Sequence, residues 1–85
     1  MSEVMLHIAS AVVKALPANQ HMVAEQIALL AGTDVIVIDY GRIIVVLETR
    51  QYADLGDTLN HIAGLDGVLS ATLVFEHSEP EGHVA

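Results

Sequence analysis

The sequence predicts an α+β fold with the element order βαββαβ. Four runs rich in apolar residues, most of them dense in β-branched side chains, are spaced along the chain as strands. Between them lie two segments whose apolar residues recur at i, i+4 and i+7, as on one face of a helix. A length of 85 residues fits one domain and leaves no room for two.

The first half of the chain contains a strand, a helix and a hairpin. Residues Met5–Ala15 form a long apolar run and are predicted as a buried strand. Pro17 follows, where helices tend to begin, and Gly32 ends the helix because glycine enters the left-handed cap cheaply. The helical stripe consists of Val23, Ile27 and Leu30. Strands are then predicted over 35–39 and 42–48, joined by a tight turn at Tyr40 and Gly41.

The second half contains a helix and a last strand. The helix is predicted over 52–63, with Gly64 closing it and a stripe of Leu55, Leu59 and Ile62. The strand is predicted over 68–76. We therefore expect a single domain over residues 1–77 and a flexible acidic tail over residues 78–85.

Two βαβ halves joined by a hairpin make a ferredoxin-like sandwich. Right-handed crossovers place both helices on one face of a four-stranded antiparallel sheet. The other face of the sheet is then left without a covering layer.

Alternation along each strand predicts which side chains lie on that uncovered face. The alternating sets that contain charged residues are predicted to lie on it, because charges belong in water. In the second strand Val35 and Val37 are predicted in the core, which leaves the two isoleucines on the uncovered face. The predicted binding residues are Ile8, Ser10, Val12, Ile36, Ile38, Ile44, Val46, Glu48, Thr72, Val74 and Glu76.

Composition restricts the partners. The chain has 3 Lys+Arg against 11 Asp+Glu, a formal net charge of -8, which disfavours nucleic acid and anionic lipid. Hydrophobic residues make up 53% of the chain. A chain this short buries only about 60% of its unfolded surface, so apolar surface should stay exposed and meet a partner. No run reaches the ~18 apolar residues of a membrane span, and we expect a cytoplasmic protein.

No enzymatic or metal site is predicted. The chain has no cysteine, and its five histidines are scattered over a strand, two helices and the tail. No serine lies in a Gly-x-Ser-x-Gly motif, and the glycines form no phosphate loop. We expect no enzyme activity and no cofactor.

Three segments resemble the NapD family, the cytoplasmic chaperones of the catalytic subunit of the periplasmic nitrate reductase. They are residues 8–13 (IASAVV), 43–48 (IIVVLE) and 67–77 (GVLSATLVFEH). No single motif is diagnostic; the order and spacing of the three segments carry the resemblance. It implies a ferredoxin-like chaperone that binds the twin-arginine signal peptide of the reductase precursor as a helix against its sheet, and that delays export until the cofactors are inserted.

A twin-arginine peptide is cationic and then apolar, which complements an acidic chain with an apolar sheet face. The alternative is a small-molecule-binding regulatory module that dimerises through its sheet, since this fold often pairs in that way. The sequence leaves open whether a weak homodimer forms as well.

Overall fold

The computed structural model describes residues 4–81 and confirms the predicted βαββαβ order. Its elements are β1 (Met5–Ala15), a single 3₁₀ turn (Pro17–Asn19), α1 (Gln20–Ala28), β2 (Thr33–Asp39), β3 (Arg42–Thr49), α2 (Tyr52–Ala63) and β4 (Val68–Pro80). All strand pairs are antiparallel, in the order β2-β3-β1-β4. The ferredoxin-like prediction is therefore confirmed.

The core lies between the two helices and one face of the sheet. Helix α1 contributes Val23 and Ile27, and α2 contributes Leu55 and Ile62. Their partners on the sheet are alternate residues of β1 and β3, namely Ala9, Val13, Ala15, Ile43, Val45 and Leu47. Because α1 packs on β2 and α2 packs on β4, each helix covers one half of the same face. Within residues 4–81, neither helix is long and apolar enough to cross a membrane.

Helix α1 is shorter than predicted and ends at Ala28, four residues before Gly32. The hydroxyl of Thr33 lies 2.6 Å from the carbonyl oxygen of Ile27 and 2.7 Å from that of Leu30. It thereby satisfies carbonyl groups that the end of a helix leaves without an intrahelical partner. This contact ties the end of α1 to the first residue of β2.

The turn between β2 and β3 has two residues, Tyr40 at φ 48° and Gly41 at φ 79°. Positive φ at both positions is the type I′ geometry, which matches the twist of the flanking strands. The backbone of Gly41 also forms hydrogen bonds to two other elements. Its carbonyl oxygen accepts a hydrogen bond from the Ala15 N–H of β1 at 2.7 Å. Its own N–H donates to Oε1 of Gln20 at 2.7 Å, which joins the turn to the start of α1.

Strand β4 runs four residues beyond its predicted end and stops at Pro80. It pairs with β1 as far as Met5, and the Glu81 N–H donates to the Val4 carbonyl at 2.8 Å. The predicted tail therefore began too early, because residues 78–80 belong to the sheet. Residues 82–85 of that tail lie outside the described residues.

Two glycine substitutions should move stability in opposite directions. A Cβ on Gly41 would lie 2.2 Å from the Ala15 carbonyl oxygen, and φ there is +79°. Gly41→Ala should therefore lower the free energy of unfolding by more than about 1 kcal/mol. In α2 a Cβ on Gly56 meets nothing within 4 Å, so Gly56→Ala should raise the free energy of unfolding by about 1 kcal/mol. Urea denaturation of the two variants measures both; equal effects would contradict the turn geometry.

Candidate functional site

The sheet face opposite the helices is the candidate site, and it is called the open face below. Strand pairing and burial together assign its residues. They are Leu6, Ile8, Ser10, Val12 and Lys14 of β1; Asp34, Ile36, Val37 and Asp39 of β2; Arg42, Ile44, Val46 and Glu48 of β3; and Ser70, Thr72, Val74, Phe75, His77 and Glu79 of β4.

The two central strands contribute the middle of the open face as predicted. Val12 is paired with Ile44, Ser10 with Val46, and Ile8 with Glu48. These side chains are half-buried by their neighbours alone, except for the exposed Glu48. An antiparallel sheet normally presents polar residues on a face that meets water. Here the centre is aliphatic, with Ser10 as its polar member.

The prediction for Ile38 of β2 is wrong. Val35 pairs with Val45 but Val37 pairs with Ile44, so one residue, Ile36, is inserted as a β-bulge. The bulge reverses the alternation after it. Ile38 therefore packs against the core, and Val37, which we had expected in the core, lies on the open face with 47% of its surface exposed. Ile36 is on the open face as predicted.

The prediction for Glu76 of β4 is wrong for the same reason. Ala11 pairs with Leu73 and Ser10 pairs with Phe75, which leaves Val74 as the inserted residue of a second bulge. Beyond it Glu76 is opposite the buried Ala9 and points to the helix side. There its carboxylate accepts a hydrogen bond from the Tyr52 hydroxyl at 2.9 Å, which raises the pKa of Tyr52. Thr72 and Val74 lie on the open face as predicted.

These two bulges lie at nearly the same level of the sheet, one on each edge strand; a further register shift in β4, at Leu69, lies near its start. Each presents two successive apolar residues, Ile36 and Val37 on β2 and Val74 and Phe75 on β4. Their exposed fractions are 58%, 47%, 59% and 59%. The half-buried centre is thus flanked on both sides by exposed apolar side chains. Sequence reasoning missed Val37 and Phe75, because runs of adjacent apolar residues carry no signal for the position of a bulge.

Charges are unevenly distributed over the open face. At one end Lys14 and Arg42 are direct partners across β1 and β3, with Asp39 opposite Arg42 on the edge. At the other end lie the carboxylates of Glu48 and Glu79, while Asp34 lies on the edge strand opposite Val46, level with the middle of the face. The apolar centre separates these two groups.

A small polar cluster lies on the helix side at the start of α2. The rings of His7 and Tyr52 meet edge to face with centroids 5.4 Å apart, and His7 Nδ1 lies 2.7 Å from the Ser78 hydroxyl. His7 and Ser78 are direct partners across β1 and β4, so strand register alone brings them together. Within residues 4–81, no three His, Cys, Asp or Glu side chains are grouped so as to hold a metal ion.

The end of β4 is held by an ion pair. The guanidinium of Arg50 donates hydrogen bonds to both carboxylate oxygens of Glu81, and this holds the Glu81 pKa below its usual value. The pair lies at the rim of an open cleft of about 620 Å³ between the end of β3 and α2, which Glu48, Asp54 and Asp57 also line. Glu48 therefore belongs to the cleft and to the acidic end of the open face.

The family model described as "NapD protein" matches residues 6–80. The chain belongs to the NapD family. A curated relative from Paracoccus pantotrophus, named Chaperone NapD, is 37% identical over 75 residues, which cover 88% of this chain and 67% of the relative. The solution structure of the E. coli Tat proofreading chaperone protein NapD matches with a TM-score of 0.78 at 28% identity, covering 93% of this chain and 84% of that one.

The resemblance seen in the sequence is confirmed by these matches. The similar proteins are named as chaperones, and this chain is a chaperone of the NapD family rather than an enzyme. The open-face residues stay predicted contacts of a client, whereas Ile38 and Glu76 point to the helix side.

Removing the Arg50 guanidinium should release Glu81. In Arg50→Ala the carboxyl loses its hydrogen bonds and its nearby cation, so its pKa should rise towards the usual glutamate value. In the unmodified chain the pKa of Glu81 is lower in the folded state than in the unfolded state. The ion pair therefore stabilises the fold above the ordinary glutamate pKa, and this stabilisation is lost as the pH falls through the folded pKa. An NMR titration of the side-chain carboxyl carbons measures the change, and Arg42→Ala is the control. An unchanged Glu81 titration in Arg50→Ala would contradict the ion pair.

Proposed function

We propose that this chaperone acts in the cytoplasm and binds the twin-arginine signal peptide of the periplasmic nitrate reductase precursor on its open face. One observation carries the proposal: the centre of this face is aliphatic and has no covering layer within residues 4–81. Contiguous apolar surface of this kind marks an interaction site on a small protein. Membership of the NapD family supports a peptide client, since one similar structure is described as a Tat proofreading chaperone.

The chemistry of such a peptide fits both parts of the face. An export signal has a basic segment followed by about 7–15 apolar residues. As a helix, its apolar side would lie on the aliphatic centre, in the manner of other helices that bind a hydrophobic surface. Its arginines would meet carboxylates, which Arg pairs with in a bidentate geometry. On an exposed edge each such pair contributes about 0–1 kcal/mol, so the apolar contact supplies most of the affinity.

The proposed contact set follows the structure. The middle of the site is formed by Ile8, Ser10, Val12, Ile44 and Val46, and the flanks by Ile36, Val37, Thr72, Val74 and Phe75. Glu48 supplies a carboxylate at the acidic end. Ile38 and Glu76 are left out because they point towards the helices.

Binding of this kind would delay export without any catalytic step. A signal peptide that is bound against the sheet would not be free to bind the export machinery at the same time. The fraction of precursor held back then depends on the chaperone concentration relative to the dissociation constant. Release after cofactor insertion needs only competition for the peptide. The alternative hypothesis from the sequence, a regulatory module that binds a small molecule, gains no support from the family match.

Substitution of Ile44 by aspartate should abolish peptide binding. Ile44 lies at the centre of the open face, and a carboxylate there would be desolvated by the bound helix without a partner. We expect the affinity of a synthetic signal peptide to fall by at least about 100-fold in isothermal titration calorimetry. Phe75→Ser, at a residue 59% exposed, removes apolar area without touching the core and should cost about tenfold.

The matched control is Met22→Asp. It makes the same change from an apolar to an acidic side chain at an exposed position of α1, on the helix side of the sheet. This variant should bind the peptide as the unmodified chain does. If Ile44→Asp and Phe75→Ser are folded by circular dichroism and still bind with full affinity, the open face is not the peptide site.

A further inference from the structure

We infer that the charges of the open face fix the direction in which the signal peptide binds. This inference rests on the proposed function above. The arginine pair is placed over the end of the sheet that carries Glu48 and Glu79. The apolar helix runs from there along the strands. Its C-terminal end is placed over the row that contains Lys14 and Arg42.

The first support is the position of the cations. Lys14 and Arg42 are directly opposite on the two central strands, so they form the middle of one end of the open face. Neither forms an ion pair with any of the residues 4–81, although Asp39 is the strand partner of Arg42. Two cations and one carboxylate leave this row with a positive charge. Arginines of a peptide would be repelled there, since like charges across an interface disfavour a binding mode.

The second support is the position of the carboxylates. Glu48 is the strand partner of Ile8, and Asp34 is the partner of Val46, which places the two acids diagonally on neighbouring strands. Glu79 also lies at the Glu48 end, on β4 opposite Leu6, and its carboxylate is 3.4 Å from Nε2 of His77. The nearby cation, Arg50, forms an ion pair with Glu81 and also attracts Glu48. Three carboxylates, those of Glu48, Glu79 and Glu81, thus lie near one arginine, so this end of the face stays negative.

The third support is distance. The acidic and basic rows are separated by the six residue steps from Ile8 to Lys14, which span about 20 Å along a strand. A helix covers about 20 Å with about 13 residues. That length lies within the ~7–15 apolar residues that follow the basic segment of an export signal. The open face is therefore long enough to contact the arginines of the peptide at one end and the end of its apolar segment at the other.

The dipole of the bound helix acts in the same direction as its side-chain charges. Negative groups stabilise the N-terminus of a helix and positive groups stabilise its C-terminus. In the proposed direction the N-terminus and the arginines both lie near Glu48, and the C-terminus lies near Lys14 and Arg42. In the reverse direction both interactions become unfavourable at once, so the arrangement selects one orientation by attraction and by repulsion.

Paramagnetic relaxation measurements test the direction. Two synthetic signal peptides would carry a nitroxide label, one just before the arginine pair and one at the end of the apolar segment. Each is added to the uniformly ¹⁵N-labelled full chain. The first label should remove the amide signals of Ile8 and Glu48 and leave those of Lys14 and Arg42. The second label should do the opposite.

The reverse pattern, or equal loss at both ends with both labels, would overturn the inference while leaving the proposed function intact. If the unlabelled peptide shifts no amide signal at all, the proposed function fails and the inference with it. The double variant Lys14→Glu with Glu48→Lys exchanges the charges of the two ends and should weaken binding or invert the pattern. Glu25→Lys on the exposed side of α1 is its control and should leave both unchanged.

Discussion

Two helices on one side of a four-stranded sheet are the constraint on which the rest of the structure depends. Each helix covers half of one face, and the core takes alternate residues from the central strands, such as Ala9, Val13 and Val45. Right-handed crossovers put both helices on that side, so no element of residues 4–81 is left to cover the other. An aliphatic side chain such as Ile44 is therefore held at the surface by the same strand that buries Ile43 in the core.

The bulges enlarge the exposed apolar surface of this simple frame. A regular strand would present every second residue to the open face, whereas each bulged edge strand presents two in succession. The exposed apolar area is thereby increased at both edges without an additional residue in the core. The bulge on β4 also turns Glu76 towards Tyr52 on the helix side, where its charge is satisfied by a hydrogen bond. Glu76, predicted on the open face, instead links β4 to α2 through this hydrogen bond.

The fold was largely predictable because its signals are local and redundant. The bounds of β1 and α2 were predicted from apolar runs and helical stripes, and the type of each element followed from the same patterns. The central face residues were also predictable, since Ile44 and Val12 lie in regular strands with charges at the ends. The orientations of Ile38 and Glu76 were not predictable from the sequence, because each depends on a bulge. A bulge is an irregularity in the pairing of two strands, and the sequence of one strand does not reveal it. In β2 four apolar residues stand together, so either register buries an equivalent surface and the sequence does not distinguish them.

We propose that the open face, and not the helix side, receives the client peptide. The most direct measurement is a methyl NMR titration of the ¹³C-methyl-labelled chain with an unlabelled twin-arginine signal peptide. Sequence neighbours supply the contrast, because Ile44, Val12 and Val37 lie on the open face while Ile43, Val13 and Ile38 point to the core. If the open face binds the peptide, the methyl groups of the first three residues should show large shifts and intermolecular contacts, and those of the other three only small shifts. Contacts that fall instead on α1 or α2, or no shifts at saturating peptide, would contradict binding at the open face.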